Sequence, residues 1–524
     1  MRNHEAENTA LAMKGPRIAR RREAIALAAC MAMAAAFLLI GSKSSPLYPM
    51  NDWVDMHCFF TVGRGWREGL LPYRDLVEQK GPILYAVYAL ISLFSSQSFF
   101  GVYLLETVTV GLFLFASLKI MRLYLKDSLL HWAALGVMTA LLVLTDAFCH
   151  GGSLEETALF MPAWSLYAML RAQKEKRLLT RREALGHGAL CGVCLMTKYT
   201  LCGFYLGLAL AVVLWYGLER VWRRLPAVIG SFLLGCALVC GSVAAVFTVQ
   251  GALGDLWTGY FYNNIFVYTN AGGGQPLAAA LLAAAKSAFS GTALRLLENK
   301  AMALLIALGF AYLALRAKEE PMPLATAALS FGALAFFTFF TGWSCTYYVL
   351  VLFIFAVFGL IAAVHAAQRV LREKRIAPWM TRAAVCALMV LSLAQVYRKS
   401  GNTYLMRYGR DQMPQYRFAE IIRETPDAVL LNYGFLDGGF YYASGAKPAS
   451  RYFCRLMADI PEMMQEQNAC VKEGRADFVV MQNQQLADLP WIDTGLYELA
   501  DQAQFRFEGD WPTYYLYRLK SLNE

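Results

Sequence analysis

The stretch NDWVDMHCFFTVGRGWREGLLPYRDLVEQKGPILY, residues 51–85, sets ionisable side chains between apolar segments. Among them are the four carboxylates of Asp52, Asp55, Asp75 and Glu78 and the ammonium group of Lys80. Ionisable groups next to membrane-embedded segments are costly to keep and usually mark a substrate or ion site. The stretch therefore predicts chemistry or ion handling at a membrane surface.

The composition is that of a membrane protein with many spans. Hydrophobic residues make up 58% of the 524 residues, and the mean hydropathy is +0.40, which is too apolar for a soluble multidomain protein. The net charge of +10 comes from Lys and Arg that stand in short clusters between apolar runs. Such clusters act as topology signals, so the composition argues against nucleic-acid binding.

The basic clusters predict how the chain crosses the membrane. The polar and basic residues 1–23 precede an apolar run at 24–40 that is longer than the core of a cleavable signal peptide, so we expect a retained helix and a cytoplasmic N-terminus. All later basic clusters fall on that same side if the short run 82–96 is an interfacial or re-entrant helix. Eleven spans result, with the C-terminus outside: 24–40, 99–118, 129–146, 157–170, 185–197, 200–217, 226–249, 301–316, 323–341, 345–364 and 379–397.

This topology collects the acidic groups on the outer face. That face receives the first outer loop at 42–98, the acidic segment DAFCHGGSLEE at 146–156, the turn at Lys198 and the segment 250–300. Aromatic side chains are frequent in 255–274 and in GWSCTYY, 342–348. Trp and Tyr are common where a membrane protein meets the membrane–water interface, and this is the simpler interpretation of these residues. The alternative is that they stack on a sugar or line a groove for a lipid.

The last part of the chain has the composition of a soluble domain. Residues 398–524 include a helical segment PQYRFAEIIRE and two strand-like runs, AVLLNYG and DFVVMQ. This pattern predicts a small α/β domain on the outer side. The chain thus divides into a cytoplasmic N-terminus at 1–23, a transmembrane domain at 24–397 and an extracytoplasmic domain at 398–524.

The first outer loop has a helical pattern with carboxylates at its start. Asp52, Asp55, Phe59 and Trp66 follow helical spacing, which predicts a helix lying on the membrane surface. The two aspartates could simply cap that helix, since Asp is favoured at its first positions. The segment GLLPYRD, ending at Asp75, reads as a turn.

These motifs resemble the first outer loop of GT-C glycosyltransferases of the protein O-mannosyltransferase and lipid A aminoarabinose transferase type. The matching positions are Asp55, Phe59, Gly69, the turn Pro72-Tyr73-Arg74-Asp75 and Lys80-Gly81-Pro82. Met56 stands where the family often has Glu, which leaves Asp52 and Asp55 as alternative counterparts of the family's aspartate. GGSLEETALF, 151–160, resembles the family's acidic second outer loop, although Ser153 and Glu156 also form a capping-box pattern.

The resemblance implies a GT-C fold and sugar transfer from a polyprenyl-phosphate donor to an acceptor hydroxyl at the outer leaflet. Asp55 would be the general base. Glu156 or Glu155 would orient the acceptor or assist Asp55. Lys80 would offset charge on the leaving phosphate. The remaining implied substrate-binding residues are Asp52, Arg74, Asp75, Glu155 and Lys198. Without the resemblance, both lysines could snorkel at the interface and Arg74 could pair with Asp75.

Cofactors and competing functions are limited by what the sequence contains. No phosphate-binding loop or dinucleotide fingerprint stands at a strand-to-helix turn, which disfavours nucleotide-sugar chemistry. No cofactor is certain, a divalent cation is possible, and no metal-ligand motif is readable.

The sequence leaves two alternatives to a glycosyltransferase. One is a transporter or flippase of lipid-linked or small solutes. The other is a surface-polysaccharide polymerase or ligase, which His57 and His150 keep open. Cys58 with Cys149, and Cys454 with Cys470, could form disulfides.

Overall fold

The computed structural model describes residues 2–267, 277–457, 460–490, 494–507 and 509–522, without the side chains of 2–19, 277 and 494. The chain is mostly helical up to residue 400 and carries a sheet after it. The α-helices of the first part are Arg2–Gly41, Val54–Arg67, Pro82–Ser92, Phe100–Tyr124, Leu129–Leu144, Leu154–Ala158, Phe160–Lys174, Arg181–Leu195, Cys202–Leu218, Leu225–Val249, Leu253–Leu256, Leu277–Glu298, Lys300–Arg316, Pro321–Phe339, Ala356–Glu373 and Pro378–Lys399. This part also contains a π-helix at Trp257–Val267 and 3-10 helices at Asp146–Phe148, Tyr199–Leu201, Trp222–Arg224 and Thr346–Phe355.

The helical part is that of a polytopic membrane protein. By length and apolar character, the described residues contain seven helices that can cross a membrane, or up to eight if one bent pair is a single span. Helices also occupy the other predicted segments, but Leu129–Leu144, Phe160–Lys174 and Arg181–Leu195 have only 15 or 16 residues. A straight crossing needs about 20 residues, so the predicted total of eleven spans stays a prediction.

One long apolar helix has no counterpart in the sequence-based assignment. Leu277–Glu298 lies within the segment assigned to an outer loop, and it meets Lys300–Arg316 at a bend of 112°. Its sequence is rich in alanine and is interrupted by Lys286 and Arg295. Alanine is the strongest helix former but contributes little apolar surface, so a hydropathy-based reading underestimates such a helix.

Two short helices pair beside the bundle and carry the first outer loop. Val54–Arg67 and Pro82–Ser92 are 14 and 11 residues long, and the second begins with Pro82 at its first turn. They approach closely at Gly63, where an added Cβ would lie 2.8 Å from the backbone nitrogen of Ala89. Pro82–Ser92 is too short to span a bilayer, in agreement with its predicted exclusion from the spans.

The C-terminal part is built around a mixed five-stranded sheet of order β2-β1-β3-β5-β4. The strands are β1 (Val429–Tyr433), β2 (Lys447–Pro448), β3 (Phe478–Gln482), β4 (Tyr497–Gln504) and β5 (Thr513–Leu519), and the α-helices are Pro414–Arg423, Phe440–Ser444 and Pro461–Lys472. The β1–β2 and β1–β3 pairs are parallel, whereas β5 runs antiparallel to both β3 and β4. The two adjacent interior strands β1 and β3 are the apolar runs noted in the sequence, and most of their residues are buried.

Helix Val54–Arg67 lies between the bundle and the C-terminal part. Thr61 donates a hydrogen bond of 2.6 Å to the buried carboxylate of Asp437. Arg64 donates to the carbonyl oxygens of Tyr441 and Ala446, each at 3.1 Å. All residues from Met56 to Gly65 are buried, so the helix has one face on helix Phe440–Ser444 and its flanking loops and leaves another for the bundle.

We predict that Arg64→Ala loosens the docking of the C-terminal part. The change leaves two buried carbonyl oxygens without their charged donor, which costs about 2 kcal/mol of unfolding free energy. Thermal unfolding of the purified protein in detergent measures the effect. Arg369→Ala is the matched control, because Arg369 pairs with Glu373 on an exposed helix surface, and it is expected to leave the unfolding temperature unchanged. Equal unfolding temperatures for the two variants would contradict the prediction.

Candidate functional site

A cavity of about 1020 Å³, including its open mouth, lies where the first outer loop meets the bundle and the C-terminal part. Its wall combines charged groups with hydroxyls, aromatic rings and a few apolar side chains. The lining residues are Asp55, Cys58, Glu78, Gln79, Lys80, Thr197, Lys198, Tyr199, Thr200, Tyr260, Asn264, Thr338, Thr341, Trp343, Cys345, Tyr347, Tyr348, Leu436, Leu456 and Met457.

Asp55 stands in the first turn of Val54–Arg67 and faces this cavity. Its carboxylate accepts a hydrogen bond of 3.0 Å from the hydroxyl of Tyr347, at the start of the 3-10 helix. The ring of Trp53 meets the ring of Tyr347 edge-on at 5.2 Å between centroids. One carboxylate oxygen is thus held in place, and the carboxylate remains at the cavity surface.

Asp52 has a different environment and does not line the cavity. It is fully buried, and its carboxylate lies 2.6 Å from the Lys43 ammonium, 2.8 Å from His150 Nδ1 and 2.9 Å from the Tyr404 hydroxyl that donates to it. Burial alone would raise the pKa of Asp52, but the charge of Lys43 and the contact with His150 outweigh it and hold that pKa well below its usual value. Asp52 is therefore a buried, ionised and fully paired group.

Lys80 and Glu78 enter the cavity from the loop before Pro82–Ser92. The Lys80 ammonium lies 3.8 Å from a Glu78 oxygen and over the ring of Phe59, 5.5 Å from its centroid. Glu78 also accepts hydrogen bonds from the Tyr85 hydroxyl and from the Lys80 backbone nitrogen. Burial by itself would lower the pKa of Lys80, but Glu78 and Asp55 raise it above its usual value, so the side chain stays cationic.

Lys198 reaches the same cavity from the turn after Arg181–Leu195. Its ammonium contacts a carboxylate oxygen of Glu155 and lies 3.8 Å from the centroid of the Tyr348 ring. Glu155 is itself buried and reaches Lys198 from the second outer loop. The site thus contains two lysines, each next to a glutamate and an aromatic ring.

Backbone contacts bring the two lysines together. The Gly81 nitrogen donates to the Thr197 carbonyl oxygen at 2.8 Å, and the Ile83 nitrogen donates to that of Met196 at 3.1 Å. A Cβ at Gly81 would lie 2.2 Å from the Met196 carbonyl oxygen, so only glycine permits this approach. The Lys80-Gly81-Pro82 element therefore docks directly on the segment that ends in Lys198.

Glu156 is buried outside the cavity. Its backbone nitrogen donates to the Ser153 side chain, as in the helix cap that the sequence allows, and its carboxylate accepts a hydrogen bond of 2.8 Å from the Gly152 nitrogen. It lies against Glu106 of Phe100–Tyr124, whose carboxylate accepts hydrogen bonds from Ser42. Burial, followed by the charge of Glu106, raises the pKa of Glu156 well above its usual value.

Arg74 and Asp75 also lie away from the cavity wall. The Arg74 guanidinium is 2.8 Å from a carboxylate oxygen of Asp255, so it does not use its neighbour Asp75 as its partner. Asp75 accepts a hydrogen bond of 2.7 Å from the Leu71 nitrogen and closes the turn. The partners of both side chains are thus residues that do not line the cavity.

Several cavity residues were not singled out from the sequence. Tyr347 and Tyr348 belong to the aromatic segment that the sequence analysis noted, but nothing local indicated that one of them meets Asp55. Leu436, Leu456 and Met457 come from the C-terminal part, and only the fold shows that they reach the cavity. Among the residues that the structure describes, no group of three or more His, Cys, Asp and Glu side chains is arranged to hold a metal ion.

The chain shares its fold with a membrane-protein structure of low sequence identity. The chain superimposes on the crystal structure of ArnT from Cupriavidus metallidurans bound to undecaprenyl phosphate with a TM-score of 0.59 and 14% identity, over 92% of this chain and 97% of that chain. For ArnT from the same organism in the apo state, the TM-score is 0.57 and the identity 13%, over 95% and 98% of the two chains. No family model and no curated protein matches the sequence. The GT-C fold implied by the sequence resemblance is confirmed.

We predict that Asp52→Asn destabilises the protein by about 3–5 kcal/mol, because it leaves the buried Lys43 ammonium without its counter-charge. Thermal unfolding in detergent at neutral pH measures the loss. Asp427→Asn is the matched control, since Asp427 forms an exposed pair with Lys447, and we expect no change from it. A wild-type-like unfolding temperature for Asp52→Asn would contradict this account of the buried network.

The same carboxylate predicts a pH dependence of stability. The pKa of Asp52 is lower in the folded protein than in the unfolded chain, so its contribution is complete above about pH 4 and is lost as the pH falls below that value. We expect wild-type protein to lose stability more steeply than Asp52→Asn between about pH 4 and pH 2.5. Unfolding temperatures of both proteins across this range measure the difference, and parallel curves would contradict the assignment.

Proposed function

We propose that the protein is a membrane glycosyltransferase that moves a sugar from a polyprenyl-phosphate-linked donor to an acceptor hydroxyl. The observation that carries the proposal is the joint placement of Asp55, Lys80 and Lys198 on one cavity of a GT-C fold. A carboxylate and two cations at a shared surface supply the groups that such a displacement needs. The acceptor would be a hydroxyl of a glycan, a lipid or a protein.

In the proposed reaction the donor phosphate lies against the two lysines. The acceptor oxygen forms a bond to the anomeric carbon while the bond from that carbon to the phosphate oxygen breaks, and the lipid phosphate leaves with the electron pair. Asp55 accepts the proton of the acceptor hydroxyl. Lys80 and Lys198 stabilise the charge that develops on the leaving phosphate.

The neighbours of these three groups keep them in position. Tyr347 fixes one oxygen of Asp55, while Glu78 and Glu155 hold the lysine ammonium groups near the cavity surface. In this proposal Glu155 acts through Lys198. The proposal gives Asp52, Glu156, Arg74 and Asp75 no contact with substrate, because none of them lines the cavity.

The proposed topology places this reaction on the extracytoplasmic face of the cell membrane. Basic side chains cluster at the opposite ends of the helices, as at Arg171–Lys174 and Arg369–Arg372, and the positive-inside rule puts those ends in the cytoplasm. Eleven spans with the N-terminus inside and the C-terminus outside satisfy this rule. Residues 398–524 then form an extracytoplasmic domain at the mouth of the cavity.

We predict that Asp55→Asn lowers the transfer rate by about 10²–10⁴-fold, the usual contribution of a positioned general base. The assay combines purified protein in detergent, polyprenyl-phosphate sugars and candidate acceptors, and it measures release of the lipid phosphate. Asp75→Asn is the control, because its carboxylate only closes a turn. Undiminished turnover by Asp55→Asn would contradict the role of Asp55.

The same assay separates an enzyme from a transporter. A detergent micelle has no sealed compartments, so a purely vectorial carrier produces no product in it. Transfer of sugar to an acceptor by wild-type protein under these conditions supports the enzyme. Consistent failure across donors and acceptors, together with solute movement in sealed vesicles, would favour the transporter.

We predict that Lys80→Gln and Lys198→Gln each weaken binding of undecaprenyl phosphate by at least about tenfold, because each removes one charge-assisted contact worth about 1.5–3 kcal/mol. Tryptophan fluorescence or microscale thermophoresis with purified protein measures the dissociation constant. Arg74→Gln is the matched control, since it removes a cation of the same loop that lies outside the cavity. A comparable loss from Arg74→Gln would contradict the proposed position of the phosphate.

A further inference from the structure

Two cysteines from distant parts of the chain meet beside the cavity. Cys58 Sγ lies 3.8 Å from Cys454 Sγ, and the two residues are 396 positions apart. They are 2% and 1% exposed. Cys58 stands one helical turn after Asp55 and lines the cavity, while Cys454 precedes Leu456 and Met457 of the cavity wall.

The pairings considered from sequence differ from this contact. Cys149 donates to the carbonyl oxygen of Asp146 within its own loop, at 3.2 Å. Cys470 lies in helix Pro461–Lys472, and its sulfur is 3.9 Å from the carbonyl oxygen of Ala449. The fold thus brings together one cysteine from each of the two sequence-based pairs.

The surroundings of Cys58 and Cys454 are already fixed by other contacts. Thr61 and Arg64 lie three and six residues after Cys58, on the same face of Val54–Arg67. Both side chains bind the C-terminal part through buried hydrogen bonds. The Tyr441 hydroxyl donates to the carbonyl oxygen of Phe453, next to Cys454, at 2.6 Å. The two sulfurs are therefore brought together by well-anchored backbone on both sides.

We propose that Cys58 and Cys454 form a disulfide in the mature protein, which covalently joins the helix that carries Asp55 to the C-terminal part. The proposal rests on the extracytoplasmic location given above, because disulfides persist only in oxidising compartments. The bond forms by exchange with the disulfide of a thiol–disulfide oxidoreductase. One thiolate attacks that disulfide, the second displaces the catalyst from the mixed intermediate, and the catalyst leaves with two thiols and both electrons.

The bond would act on the part of the cavity wall that comes from outside the bundle. Leu456 and Met457 lie two and three residues after Cys454 and line the same cavity as Asp55, so a covalent tie to the helix limits how far this part of the wall can move. Cross-linking positions so far apart removes much conformational freedom from the unfolded chain.

The first test is chemical and does not depend on activity. Full-length protein is purified from membranes without reductant, its free thiols are alkylated in denaturant, and peptides are mapped by mass spectrometry before and after reduction. We expect a reducible peptide pair containing Cys58 and Cys454, while Cys470 is alkylated without reduction and serves as the internal control. Alkylation of Cys58 and Cys454 without prior reduction would overturn the proposal.

The second test measures stability with and without reductant. Reduction of Cys58 and Cys454 is first verified by alkylation. We expect the reduced wild-type protein to unfold at least about 5 °C below the oxidised protein, close to a Cys58→Ala, Cys454→Ala double variant that reductant does not change. Cys470→Ala is the matched control and should keep the full response to reduction. An unchanged unfolding temperature after verified reduction would overturn the proposal. Because both readouts are independent of sugar transfer, their failure is distinguishable from failure of the proposed function.

Discussion

The arrangement of the loops beside the cavity depends on one buried negative charge, the carboxylate of Asp52. A carboxylate without water is strongly unfavourable unless every partner is in place. Its partners are Lys43 of the first outer loop, His150 of the second outer loop and Tyr404, which follows helix Pro378–Lys399. These three regions must therefore assemble together around Asp52. Val54–Arg67 begins two residues later, so the same network sets the position from which Asp55 faces the cavity.

The cavity follows from two further constraints on the same loop. The backbone of Lys80-Gly81-Pro82 docks on Met196 and Thr197, which fixes the spacing of the two lysines. The C-terminal part covers the opposite face of Val54–Arg67 and contributes apolar side chains to the cavity wall. A short helix with most of its side chains buried is thus the element that the bundle and the C-terminal part share. Groups from distant segments of the chain line one cavity beside it.

Local patterns in the sequence predicted much of the fold. The apolar runs became helices, and the two strand-like runs became the adjacent interior strands β1 and β3. The helix Leu277–Glu298 was missed, because hydropathy measures apolar surface and alanine provides little of it. The number of spans could not be settled from hydropathy either, since several helices are shorter than a crossing. These errors arise where helix formation and apolarity diverge.

The site was harder to predict, because its roles depend on contacts between distant residues. Asp52 and Asp55 are three positions apart and chemically identical, yet one precedes the helix and meets Lys43 while the other lies inside it and meets Tyr347. Glu155 and Glu156 are adjacent, but the direction of each side chain sends one to Lys198 and the other to Glu106. No local pattern separates such neighbours. The Lys80-Gly81-Pro82 motif could be recognised, because the close approach of its backbone to Met196 requires a glycine at position 81.

The charges of the cavity also limit how a donor can bind under the proposed reaction. Asp55, Glu78 and Glu155 face two lysines, so this set carries one net negative charge before any phosphate enters. An arriving phosphate must compete with Glu78 and Glu155 for the lysine ammonium groups, so the net gain from each lysine is limited to the few kcal/mol of one charge-assisted contact. Most of the binding free energy then has to come from burying the apolar lipid chain. The lysines contribute more to the transition state, when the bridging oxygen of the phosphate gains charge, and this is the stage at which their stabilisation accelerates transfer.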